Sequence, residues 1–86
     1  MKSARFGKEV IITSHARARM AERGIGDDVL RDLIENGQLT KRGPVHYLIF
    51  RRYLEREDNL LCAAVADEEV LVVKTVMINW SLRERP

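Results

Sequence analysis

Between Thr13 and Ile25 the chain reads Thr-Ser-His-Ala-Arg-Ala-Arg-Met-Ala-Glu-Arg-Gly-Ile, which sets one imidazole and three guanidinium groups close together. An imidazole exchanges protons near neutral pH, and a guanidinium fork matches the oxygens of a phosphate. Together they are equipment for RNA cleavage without a metal. In that reaction the neighbouring 2′-OH attacks the phosphate, so the protein supplies a base, an acid for the leaving oxygen and fixed cations for the phosphorane charge. His15 is the candidate base or acid. Arg19 and Arg23, one and two helical turns further on, are the candidate cations.

Further contacts to an RNA substrate could come from Arg17, His46, Arg51, Arg52, Lys74 and Thr75. Strand alternation lets only one of each adjacent pair face a given side. Each candidate also has a structural role open to it. His15 can donate to a backbone carbonyl near its helix start, Arg19 can pair with Glu22 at i, i+3, and Arg17 can pair with Asp28 or Asp32 on the next helix. Tyr47 and Tyr53 can stack on bases or simply pack across strands. No His-x-x-x-His or Cys-x-x-Cys spacing occurs, so no metal site is assigned. Gly24-Ile-Gly26 lacks the rest of a nucleotide-binding fingerprint, and no cofactor is expected.

The elements that must hold these residues follow from pattern. Lys8–Thr13 is β-branched and reads as a strand. Thr13 or Ser14 caps a helix over about 14–23, which Gly24 ends. Gly26-Asp-Asp28 opens a second helix, whose Val29, Leu30, Leu33 and Ile34 form an apolar stripe before Asn36-Gly37 closes it. After the Gly43-Pro44 breaker, strands at Val45–Leu54, Leu60–Ala66 and Val70–Ile78 are joined by the polar turns 55–59 and 67–69. The predicted fold is a two-layer α+β domain in the order β-α-α-β-β-β, with two N-terminal helices packed on one face of a four-stranded, mostly antiparallel sheet. Its other face would stay open.

At 86 residues the chain is predicted to be one domain, 1–86, with frayed ends at 1–7 and 81–86. No apolar run approaches the length of a spanning helix, no apolar signal core follows the N-terminus, and the lone Cys62 cannot close an internal disulfide. These features predict a cytoplasmic protein with no membrane partner. Net charge is only +2, but it is segregated: residues 1–25 and 38–56 are basic, while 26–37 and 57–69 are acidic. Eleven of the fifteen basic residues are arginine, which favours bidentate partners.

The run His15, Ala16, Arg17, Arg19, Met20, Glu22, Arg23, Gly24, Ile25 resembles the bacterial family known as domain of unknown function 4258. The likeness extends to Glu35-Asn-Gly37 and Lys74-Thr-Val76. The order of elements resembles that of RelE-type toxins, small metal-independent ribonucleases with two helices followed by a sheet. The first resemblance implies no activity. The second implies a toxin-like RNA-binding protein, a metal-independent endoribonuclease whose basic surface a cognate antitoxin would cover. The alternative is a non-catalytic interaction module that docks a partner protein or forms a homodimer.

Overall fold

The computed structural model describes residues 1–58 and 60–80. In chain order they form β1 (Lys2–Ser3), β2 (Lys8–Ile12), α1 (Ser14–Arg23), α2 (Asp27–Asn36), β3 (Gln38–Lys41), β4 (His46–Arg52), β5 (Leu60–Asp67) and β6 (Leu71–Trp80). The α+β class and the β-α-α-β-β-β order are as the sequence predicts. The sheet, however, has six strands in the order β1-β2-β6-β5-β4-β3, and only the β2–β6 pair is parallel.

The two additional strands are short margins that composition does not reveal. Where the sequence suggested a frayed start, Lys2 and Ser3 pair with Glu9 and Lys8 across a turn in which Gly7 takes a positive φ. Ser3 is buried, and its hydroxyl donates to Glu35 Oε2 at 2.5 Å while Arg5 N–H donates to Oε1 at 2.9 Å. The expected frayed tail 81–86 lies outside the described residues. At the other margin β3 follows α2 directly and pairs with β4, Gln38 opposite Phe50 and Lys41 opposite Tyr47.

Both helix starts and ends have identifiable causes. Thr13 is the N-cap of α1, its Oγ1 accepting from Ala16 N–H at 3.0 Å, and Gly24 at φ 65° supplies the left-handed end. α2 starts at Gly26, with Asp27 and Asp28 in the first turn where the helix dipole favours negative charge. Gly37 ends α2 for a different reason from Gly24. Its φ of −73° is ordinary, but a Cβ there would lie 2.5 Å from Leu33 O and 2.7 Å from Ile49 Cγ2. Only a missing side chain lets the end of α2 approach β4 so closely.

The core joins Ala16 and Met20 of α1, Ile25, and Leu30, Leu33 and Ile34 of α2 to one face of the sheet: Val10, Ile49, Leu61, Ala63, Val65, Leu71, Val73 and Val76. The carbonyls at both helix ends are capped by arginines distant in sequence. Arg5 donates to Ile34 O and Gly37 O at 2.9 and 2.7 Å, and Arg56 donates to Arg23 O and Gly24 O at 2.8 and 3.1 Å while Asp58 grips its other side.

Gly37→Ala is expected to destabilise the fold by about 1–3 kcal/mol through overpacking, read as a lower urea midpoint by circular dichroism. An unchanged midpoint would show that the end of α2 is free to move away from β4.

Candidate functional site

Strand register divides the sheet's side chains between two faces. On the helix-covered side run the rows Leu39–Ile49–Ala63–Val76 and Lys41–Tyr47–Val65–Val73–Ile12. On the opposite side run His46–Ala66–Val72–Ile11, then Thr40–Leu48–Ala64–Thr75, then Gln38–Phe50–Cys62–Met77, then Arg52–Leu60–Trp80. Neither helix packs on this second face, which is the open side expected from a two-layer arrangement. Two register irregularities in β6 aim its residues. One falls beside Lys74, the other near Asn79, which takes a left-handed φ of 53° and brings Trp80 onto the open face. There the Trp80 ring lies against Phe50, centroids 4.9 Å apart and planes at 33°.

The α1 candidates have different degrees of freedom. His15 is exposed in the first turn and makes no hydrogen bond or ion pair among the described residues. Arg19 is bound to Glu22 at 2.7 Å. Arg23 is half-buried and donates to Val76 O at 2.7 Å, tying the last turn of α1 to β6. Arg17 pairs with Asp27, at the start of α2, rather than with Asp28 or Asp32.

The strand candidates separate as alternation requires. Arg51 points to the helix side, 3.2 Å from Asp32 Oδ2, and Arg52 faces the open side with His46 and Thr75. Lys74 is exposed at the β6 irregularity next to the end of β2, where Thr13 Oγ1 donates to its carbonyl at 3.2 Å. His46, Arg52 and Thr75 thus share one face, while Arg17, Arg19, Arg23 and Arg51 are engaged elsewhere. Tyr47 packs edge-on against Phe6 on the helix side, and Tyr53 binds Asp32, so neither tyrosine is presented for stacking on the open face.

Sequence reasoning missed Arg42, Phe50 and Trp80. A signal was present in β4, where Leu48 and Phe50 are as apolar as Tyr47 and Ile49 although only one side has helices to cover it. Burial on the open face pushes the Cys62 thiol up to about 11, and the Arg42 guanidinium lies near enough to oppose part of that rise. At neutral pH the thiol is protonated and a poor nucleophile. Among the described residues no group of three His, Cys, Asp or Glu side chains is placed to hold a metal ion.

Two hollows lie elsewhere. One of about 640 Å³ runs along the outer side of α2 beside Asp27, Asp28, Asp32 and Glu35, and another of about 540 Å³ joins Asp28, Val29 and Asp32 to Arg51, Arg52 and Leu54. Neither contains His15, Arg19 or Arg23. Their carboxylates repel phosphate, and Asp32 at their junction is a staple between α2 and β4. It accepts from Tyr53 Oη at 2.5 Å, Asn36 Nδ2 at 2.8 Å and Arg51 Nη1 at 3.2 Å. The Tyr53 hydrogen bond, aided by Asn36 and Arg51, holds the Asp32 carboxyl below the usual range against the effect of partial burial. Burial and the same carboxylate raise the Tyr53 phenol.

A carboxyl group depressed in the folded state stabilises the protein above its unfolded pKa of about 4, and that contribution is lost as pH falls through the folded value. Tyr53→Phe should therefore lower the urea midpoint at pH 7, and the gap from the unsubstituted protein should narrow below about pH 3. A gap of constant size would mean that the hydroxyl bonds the protonated carboxyl equally well.

No curated protein and no solved structure matches this chain, so the likeness to RelE-type toxins rests on element order alone. No described helix is long and apolar enough to cross a membrane. A family model described as Domain of unknown function (DUF4258) matches residues 12–78, from the end of β2 through most of β6, and takes in α1 with its histidine and arginines. The chain belongs to that family.

Proposed function

We propose that this chain is a small toxin-like RNA-binding protein, with single-stranded RNA lying across the open sheet face. The observation that carries the reading is the juxtaposition of the Phe50–Trp80 pair with Arg52 and His46 on a face whose register positions from β3 to β6 include no Asp or Glu, Glu9 standing opposite Lys2 at the β2 margin. Bases stack on an indole whatever their identity, and the carboxylate-free stretch from β3 to β6 admits the phosphate backbone. Neutral Gln38, Thr40 and Thr75 supply hydrogen-bonding groups along the same rows.

Metal-independent cleavage is the finer form of this proposal. The 2′-OH would lose its proton to an imidazole as its oxygen attacks phosphorus, and the departing 5′ oxygen would regain one. His15 and His46, both solvent-facing, are the imidazoles able to exchange those protons. Arg19 can reach a phosphate only by leaving Glu22, and Arg23 only by leaving Val76 O. The phosphorane charge would therefore fall chiefly to the exposed Arg42 and Lys74. In a toxin of this kind a cognate antitoxin blocks the basic surface.

Fluorescence anisotropy with labelled single-stranded RNA tests the binding. Affinity should fall steeply with salt, and Arg42→Ala or Arg52→Ala should each reduce the log–log salt slope by about 1. Trp80 emission should be quenched as RNA binds. For cleavage, His15→Ala and His46→Ala should lower the yield of 2′,3′-cyclic phosphate ends, and Arg23→Lys should act mainly on stability. Protein that neither binds nor cuts RNA at low salt would end this reading.

A further inference from the structure

Both imidazoles face solvent, but the fold does not let them work on one phosphate. His15 opens the helix that packs on the covered side of the sheet, whereas His46 stands on the open side, on β4. His15 follows the end of β2, and in the order β2-β6-β5-β4 that strand lies three strand spacings from β4, about 14 Å. RNA on the open face can reach His15 only at the margin where β2 turns into α1. There the second proton carrier has to come from another side chain. One threonine builds this corner. Thr13 N–H donates to Val73 O at 3.2 Å, its Oγ1 donates to Lys74 O at 3.2 Å, and the same Oγ1 accepts from Ala16 N–H at 3.0 Å. The first turn of α1, with His15 in it, is thereby pinned to one point on β6. At that point β6 bulges: Val65 pairs with Val73 and Ala64 with Thr75, so Lys74 has no partner on β5, and the β2 register ends at Val73. Bulges re-aim a side chain. Lys74 is exposed, and its ammonium makes no hydrogen bond or ion pair among the described residues.

We infer that Lys74 is the catalytic partner of His15, its ammonium protonating the leaving 5′ oxygen of a phosphodiester seated at this corner. The inference rests on the reading of the chain as a metal-independent endoribonuclease and names the acid for it. The imidazole of His15 takes the 2′-OH proton as the 2′ oxygen bonds to phosphorus. The bond from phosphorus to the 5′ oxygen breaks, and that oxygen takes a proton from Lys74. The products are a 2′,3′-cyclic phosphate and a free 5′-OH, and proton exchange with solvent restores both side chains. A guanidinium holds its proton too firmly for this step. Arg19 and Arg23 are in addition engaged with Glu22 and Val76 O. Thr75, next to Lys74 on β6, stands on the open face in line with Met77 and Trp80, so RNA following β6 from the indole arrives at Lys74.

The test is single-turnover cleavage of a short single-stranded RNA by the whole chain at saturating protein. One substrate has the normal linkage, and in the other sulfur replaces the leaving 5′ oxygen and departs without being protonated. Lys74→Ala should slow cleavage of the normal linkage by about 100-fold or more, and the sulfur substitution should restore most of that loss. His15→Ala should stay slow on both substrates, because the 2′-OH still needs its base. Lys74→Arg keeps the charge without delivering the proton and should match Lys74→Ala. His15 and Lys74 are exposed, and circular dichroism should show each variant folded. Full-rate cleavage of the normal linkage by Lys74→Ala or Lys74→Arg overturns the inference. So does a Lys74→Ala protein equally slow on both linkages, or rescue by sulfur of His46→Ala instead. Unsubstituted protein that binds RNA without cutting it defeats this inference and leaves the binding reading standing. Protein that neither binds nor cuts defeats both.

Discussion

Helices of ten residues do not persist alone in water, because the unfavourable nucleus is repaid by too few hydrogen bonds. In this protein α1 and α2 exist because Ala16, Met20, Leu30, Leu33 and Ile34 find Leu61, Ala63, Val65, Val73 and Val76 on the sheet. β5 and β6 are therefore the elements on which the rest leans. They lie at the middle of the sheet, and their pairing presents the apolar surface that both helices need. The parallel match of β2 to β6 then fixes where α1 begins, since Thr13 N–H donates to Val73 O at 3.2 Å one residue before the helix.

The arginine content takes on a different meaning once the partners are known. Arg5 and Arg56 close the carbonyl ends of the two helices, Arg23 joins α1 to β6, and Arg51 joins β4 to α2 through Asp32. A guanidinium suits this work because it has five donors in a rigid plane and can satisfy two carbonyls, or a carbonyl and a carboxylate, at once. In so small a domain these contacts extend what the apolar core can hold. They also commit those cations to holding the scaffold together.

How much of this was legible in sequence depends on the range of the interaction. The bounds of α1 could be read because Thr13 and Gly24 act locally, and the three long strands because β-branched and aromatic runs declare themselves. β1 escaped notice because its pairing with β2 depends on Ser3 meeting Glu35, 32 residues away. Gly37 looked like an ordinary helix end, and its actual reason, contact with Ile49, is tertiary. Where the candidate residues would lie was only partly legible. His46, Arg52 and Thr75 share a face through strand register, whereas nothing local announced that Arg23 would be spent on Val76 O or that Asn79 would bring Trp80 beside Phe50.

Any open sheet carries two rows of backbone donors and acceptors that invite further strands from other molecules. Here one border is a strand of only two residues, and the other is a strand of four that carries Lys41. Borders so short and so charged offer a poor template for fibril growth. A chain rich in valine and isoleucine can in this way limit edge-to-edge strand addition while keeping the broad side of its sheet available.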